Sequence, residues 1–175
     1  CYMLKLKPDV FVKPKFTDQN LPKFLTAEKQ KTIAGNIIVK GIGLHTGSKT
    51  SMRLNPAPIN TGDVFRLKKS GKLYSVKASY KNVKSTKLCT LISDSNGNSI
   101  STIEHILSAL YAFNVDNVYI DLDSNEVPVC DGSSKEFVAL LKECGFKKQD
   151  SFKKFIKIKK IVEVKEGNKL ARVSP

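Results

Sequence analysis

The chain has 175 residues, a hydrophobic content of 41% and a formal net charge of +14 at pH 7. Its length fits one domain with an additional arm, and no uninterrupted apolar run approaches the roughly 20 residues that a membrane-spanning helix needs. The four cysteines are scattered and form no Cys-x-x-Cys pair. We therefore expect free thiols in a reducing compartment, and neither a disulfide framework nor a cysteine zinc site.

The positive charge is concentrated at the two ends of the sequence. Residues 1–33 carry seven basic and three acidic residues, and residues 142–175 carry eleven and four, whereas residues 34–141 carry twelve and nine. Lysine-rich ends attract polyanions such as RNA. Only three of the 30 basic residues are Arg, which is the better residue for bidentate phosphate contacts. We expect at most loose contacts with RNA phosphates, and a general lysine bias would explain the composition without RNA.

Residues 1–30 are predicted to form an extended basic arm, and residues 31–175 a single domain. Three prolines in the arm restrict the backbone, and its apolar residues show no helical period. Phe11, Phe16 and Phe24 are too apolar for a solvated tail. We predict that they bind the arm to its own domain or to a partner.

Short alternating segments predict a mostly antiparallel sheet. Lys31–Lys40 alternates so that Ile33, Ile37 and Val39 share one face. Further strands are predicted at residues 50–54, 64–67, 73–76, 89–92, 118–122, 155–164 and 170–173.

Two amphipathic segments predict helices. Ser101 and Glu104 form a Ser-x-x-Glu capping box ahead of the first, and Ser133 and Glu136 repeat it ahead of the second. Gly145 is expected to follow directly after the second helix, as its C′ residue. The predicted fold is α+β, a two-layer sandwich with both helices on one face of the sheet.

The first helix carries one of the two histidines of the chain, His105, directly after Glu104. A histidine near a helix N-terminus can reach into a cleft, where a neighbouring carboxylate could act as a base. A capping box explains the glutamate without catalysis. The residues alone therefore leave a structural and a catalytic interpretation open.

Four segments, in this order, resemble the UDP-3-O-acyl-N-acetylglucosamine deacetylases, the zinc hydrolases of lipid A synthesis. They are Gly41–Gly47 (GIGLHTG), Ser85–Thr90 (STKLCT), Ser101–His105 (STIEH) and Glu126–Ser133 (EVPVCDGS). The resemblance extends from about residue 31 to residue 175. It matches only the first of the two domains in that family, which is itself an α+β sandwich of this kind.

The resemblance implies that Glu104 is the general base and that His105 is the first zinc ligand. It also implies a set of residues in loops on the substrate side: Leu44, His45, Thr86, Leu88 and Cys89. A hydrolytic zinc site usually has three protein ligands and one open position for water. The other two family ligands lie in a His-x-x-x-Asp motif of the second domain, and this sequence has no such motif.

Two functions are compatible with this incomplete ligand set. The favoured one is a non-catalytic, repurposed domain that serves as a basic structural component of a larger assembly, such as a ribosome in the mitochondrial matrix. It would have protein neighbours and bind no zinc by itself. The alternative is the catalytic half of a zinc-dependent deacetylase in the bacterial cytoplasm. Its second domain would be on another chain or removed, and zinc would bind once that domain completes the site.

Overall fold

The computed structural model describes residues 28–69 and 71–175, which divide into two units. The first unit is Lys29–Ser151, and the described part of the second is Glu28 with Phe152–Pro175. The arm residues Phe11, Phe16 and Phe24 lie outside the described residues. The predicted boundary at residue 30 therefore stays a prediction.

The described residues form twelve strands and two α-helices. The strands are β1 (Lys29–Ile33), β2 (Ile37–Ile42), β3 (Lys49–Pro56), β4 (Asp63–Lys69), β5 (Lys72–Lys77), β6 (Val83–Ser85), β7 (Leu91–Ser93), β8 (Ser99–Ile100), β9 (Val118–Leu122), β10 (Phe146–Phe152), β11 (Val162–Glu166) and β12 (Lys169–Val173). The helices are α1 (Glu104–Ala112) and α2 (Lys135–Cys144). The predicted α+β class is confirmed.

A five-stranded sheet in the order β2-β3-β9-β4-β5 is the framework of the first unit. Its pairings are antiparallel except for the parallel pair β4–β9. Leu54, Ile120 and Phe65 stand side by side in register across the middle strands, and all three are buried. Alternate residues of a strand point to opposite faces, so one face of the sheet is apolar and carries the core.

Both helices contribute to the core on this face. Ile106 of α1 and Phe137 and Leu141 of α2 are fully buried, and they line a narrow crevice with Ile37 and Val39 of the sheet. Helix α2 is capped at its C-terminus by Gly145, whose φ of 73° is in the left-handed region that favours glycine. The predicted position of Gly145 is thus confirmed.

The predicted strand Lys31–Lys40 is instead two strands that belong to different sheets. Strand β1 pairs with β10, whereas β2 pairs with β3. The chain turns between them at residues 34–36, where the amide of Ala34 donates to the carbonyl of Gly145. Ile33, Ile37 and Val39 are nevertheless all buried, as the alternation predicted.

The second unit contains the hairpin of β11 and β12, in which Val162 pairs with Val173 and Glu166 with Lys169. The predicted strand at residues 155–164 is regular only from Val162 onwards. Every residue of β12 is exposed. Among the described residues, neither helix is long and apolar enough to cross a membrane.

Candidate active site

Backbone hydrogen bonds join three of the four motif segments. The amide of Val129 donates to the carbonyl of Ile42, 3.0 Å away, which joins the last segment to the start of the glycine loop. Val127 donates to the carbonyl of Ser101, 3.2 Å away, which joins the last segment to the approach to α1. Residues that are far apart in the sequence are therefore joined beside the approach to α1.

Glu104 does not serve the capping box that the sequence predicted. The N-cap residue of α1 is Ile103, and no side chain caps the helix. The half-buried Glu104 carboxylate instead accepts the amide of Thr90, which lies 3.2 and 3.3 Å from its two oxygens. This bond connects the Ser85–Thr90 loop to the helix and leaves lone pairs of the carboxylate available, as a general base requires.

His105 is half-buried in the first turn of α1. Its carbonyl accepts the hydroxyl of Ser134 at 2.9 Å, which fixes the backbone of the histidine to the start of α2. The capping box predicted at Ser133 and Glu136 was also wrong, because the N-cap of α2 is Ser134 without a side-chain cap bond. The Ser134 hydroxyl makes a tertiary bond to α1 instead of a local bond within its own helix.

The glycine loop is attached to a fully buried carboxylate, that of Glu126. The amides of His45 and Thr46 donate to its two oxygens at 3.0 and 2.9 Å. Burial alone would raise the pKa of Glu126, but these amides and hydroxyl groups of Thr46 and Thr102 hold it below its ordinary value. Glu126 therefore stays ionised at neutral pH.

Thr102 connects the same carboxylate to the approach to α1. Its hydroxyl donates to Oε1 of Glu126 at 2.9 Å, in the interior of the protein. Thr102 has a φ of 60°, which is unusual for a β-branched residue. Such a conformation costs on the order of 1–3 kcal/mol and persists only when neighbouring contacts hold it.

Sequence reasoning missed the roles of Glu126 and Thr102, although an acidic residue opening the apolar run Val127–Val129 was a usable signal.

The predicted substrate-side residues lie on the two loops attached to this framework. Leu44 and Leu88 are strongly exposed, His45 is exposed, and Thr86 and Cys89 are half-buried. Leu88 has a φ of 67°. Large exposed apolar side chains on strained loops are typical of surfaces that contact a ligand or another domain.

The described residues do not by themselves form a complete zinc site. No group of three His, Cys, Asp or Glu side chains lies close enough together in the described residues to hold a metal ion. Burial, with Glu136 and Asp131 nearby, raises the pKa of the Cys130 thiol to about 12. Cys130 therefore offers no thiolate at neutral pH. His105 fits one ligand position, and the other donors would have to come from outside the described residues.

A sequence model of the LpxC family, the UDP-3-O-acyl N-acetylglycosamine deacetylases, matches residues 30–175. The chain belongs to this family. It is 48% identical over 147 residues to the UDP-3-O-acyl-N-acetylglucosamine deacetylase of Campylobacter hominis, a match that covers 84% of this chain and 49% of the relative. The enzyme of the same name from Mannheimia succiniciproducens is 45% identical over 148 residues, covering 84% and 48%. That from Francisella tularensis is 46% identical over 149 residues, covering 84% and 52%.

The chain thus spans about half the length of the curated relatives that it matches. The resemblance seen in the sequence is confirmed, and its family is one of zinc-dependent amide hydrolases. The prediction of a non-catalytic structural component is wrong, because the relatives are named as deacetylases. That prediction counted zinc ligands in only half of such a protein. The mitochondrial setting is also wrong, since these relatives are bacterial.

Other expectations from the sequence stay predictions. They are the loose RNA contacts of the lysine-rich ends, the docking of the arm, and the catalytic and substrate-side roles of the residues named above. The structure gives the positions of Glu104 and His105, whereas their roles are part of the proposal that follows.

Proposed function

We propose that this chain is the catalytic first half of a zinc-dependent UDP-3-O-acyl-N-acetylglucosamine deacetylase of the bacterial cytoplasm. The reaction is hydrolysis of the acetamide, in which water is consumed and acetate and a free amine are formed. The observation that carries the proposal is the placement of Glu104 and His105. Glu104 does not cap the helix, and both residues are half-buried. The Ser85–Thr90 segment bonds Glu104, and the other two family segments are joined to each other and to Ser101.

Glu104 is proposed to be the general base. Its carboxylate is held by one amide, that of Thr90, so it keeps a fixed orientation and can still accept a proton from water. The loop that carries Thr90 also carries Leu88 and Cys89. Substrate binding at that loop would therefore be coupled directly to the position of the base.

His105 is proposed to supply one zinc ligand, and two further ligands would come from the second half of the enzyme. In hydrolytic sites, bound zinc lowers the pKa of water and polarises the carbonyl. The backbone of His105 is fixed to the start of α2, because its carbonyl accepts the hydroxyl of Ser134. The exposed Leu44 and Leu88 are proposed to contact the substrate.

The test is reconstitution of the chain with the second half of the Campylobacter hominis relative, followed by measurement of acetate release from UDP-3-O-acyl-N-acetylglucosamine. Glu104→Gln should lower kcat by about 100- to 10,000-fold, the usual contribution of a general base. The matched control is Glu143→Gln on the exposed side of α2, which should retain wild-type activity. Absence of both acetate release and bound zinc in the reconstituted protein would contradict the proposal.

A further inference from the structure

Glu126 differs from the other carboxylates of the site because it is fully buried and still ionised. Its main chain is fixed independently of its side chain. The carbonyl of Glu126 accepts the hydroxyl of Thr50 at 3.1 Å, and Glu126 forms a parallel bridge with Ser101. The carboxylate is therefore held at a defined place between the glycine loop and the start of α1.

The two oxygens of this carboxylate have different tasks. Oε2 accepts the amide of Thr46, whereas Oε1 is shared between the amide of His45 and the hydroxyl of Thr102. Both oxygens thus bond the loop, and Oε1 also bonds Thr102, which stands two positions before Glu104. The amides of the glycine loop can approach the Glu126 carboxylate closely because residue 43 is glycine. A Cβ at this position would overlap the carboxylate.

We propose that Glu126 is a positioning residue that sets the glycine loop and the Glu104–His105 pair in one fixed geometry. It does not touch the reacting atoms. It acts through Thr102, whose left-handed backbone directs the chain into α1, and through the amides of His45 and Thr46. The inference rests on the proposed function, because the geometry it sets is that of the proposed base and zinc ligand.

The proposal separates two effects on catalysis. The bond to Thr102 controls the placement of Glu104 and so affects kcat. The bonds to the loop amides control the placement of Leu44 and His45, which the proposed function assigns to the substrate side, and so affect KM. If the carboxylate only stabilised the fold, its removal would change neither kcat nor KM of the folded enzyme.

The experiment uses four variants of the full chain and a spectroscopic readout that needs no activity. In ¹H–¹⁵N spectra, Glu126→Gln should shift the amides of His45 and Thr46 and also the amide of Thr90, which reports on Glu104. Thr102→Val should shift Thr90 and the His105 ring but leave the loop amides close to wild type. Thr102→Ser keeps the hydroxyl and should restore the wild-type spectrum. Asp121→Asn, on the opposite face of the sheet, should leave Thr90 and His105 unchanged.

The same variants are then measured after reconstitution with the second half of the Campylobacter hominis relative. Thr102→Val should lower kcat at least tenfold with KM within twofold of wild type, and Thr102→Ser should recover it. Glu126→Gln should lower kcat and also raise KM several-fold. If Glu126→Gln does not fold, Thr102→Val still decides the question, since it replaces only the hydroxyl group with a methyl group of similar size.

Two results would overturn the inference. One is a folded Thr102→Val variant whose Thr90 and His105 signals coincide with wild type. The other is a kcat of the Thr102→Val variant that equals the wild-type kcat when both are reconstituted into active enzyme. Failure of the proposed function looks different, because the wild-type reconstituted protein would then release no acetate while the spectra still report whether Glu126 couples the two segments.

Discussion

Glu126 and Asp63 are two shielded carboxylates of the same unit with opposite electrostatics. Glu126 accepts two amides and a hydroxyl, and its pKa is lowered. Oδ1 of Asp63 is shielded from solvent and has no hydrogen-bond partner among the described residues. Burial, and secondarily the nearby Asp116, raises the pKa of Asp63 to about 7 despite the attraction of Lys77. The comparison shows that donors, and not depth alone, decide whether a buried carboxylate is ionised.

The largest expected effect on stability is that of removing the satisfied carboxylate. Glu126→Ala leaves one buried hydroxyl and two part-buried amides without their acceptor, which should lower the free energy of unfolding by about 4 kcal/mol. Urea unfolding at pH 7 measures it. Because the pKa of Glu126 is lowered on folding, its contribution is present above the unfolded pKa and lost as the pH falls through the folded pKa. A loss below about 1 kcal/mol would show that the three bonds contribute little.

Gly43→Ala tests how tightly the loop is packed on Glu126. The added Cβ would overlap the carboxylate and the hydroxyl of Thr46, so the variant should be destabilised by about 3 kcal/mol. The matched control is Gly47→Ala, where no atom lies within 4 Å and only the φ of 64° opposes a side chain. That control should lose about 1 kcal/mol in the same unfolding experiment. Equal losses would mean that the loop moves away from Glu126 without penalty.

Asp63→Asn tests the unsatisfied carboxylate. The folded chain keeps a proton on Asp63 up to about pH 7, whereas the unfolded chain loses it near its ordinary pKa of 3.8. The free energy of unfolding should therefore fall as the pH rises from about 4 to about 7, by up to roughly 4 kcal/mol. The variant lacks this dependence and should be more stable than wild type by about 2 kcal/mol at pH 8. Parallel pH profiles for wild type and variant would contradict the assignment.

The smallest effect is expected on the polar face of the sheet. Arg66 donates to both oxygens of Asp121, with its Nη2 at 2.7 Å, and lies over the Tyr119 ring at 4.1 Å. Both charged side chains remain partly exposed. Asp121→Asn should therefore lower the free energy of unfolding by no more than about 1 kcal/mol, and less in high salt. A much larger loss would place this pair with Glu126 as a principal element of stability.

The sequence predicted the elements whose signal is local. The alternation of Val118–Leu122 and the apolar stripe containing Phe137 and Leu141 correspond to β9 and α2, because burial of one face produces both patterns. The capping boxes failed because the local pattern competes with tertiary partners. The amide of Thr90 donates to the Glu104 carboxylate, and the hydroxyl of Ser134 donates to the carbonyl of His105 in α1.

The approach of the four segments could not be derived from spacing. Glu126 meets His45 and Thr46 across about 80 positions, and no local pattern records that contact. The resemblance to a family located the segments, and counting ligands in this chain then led to a wrong function. The count is correct for the residues of this chain, which span about half the length of the relatives named as deacetylases.

The proposed role of Glu104 is tested most directly by acetate release from the chain reconstituted with the second half of the Campylobacter hominis relative. Wild type and Glu143→Gln should turn over, and Glu104→Gln should be slower by at least about 100-fold while binding the same amount of zinc. Equal turnover by Glu104→Gln and wild type would contradict the account.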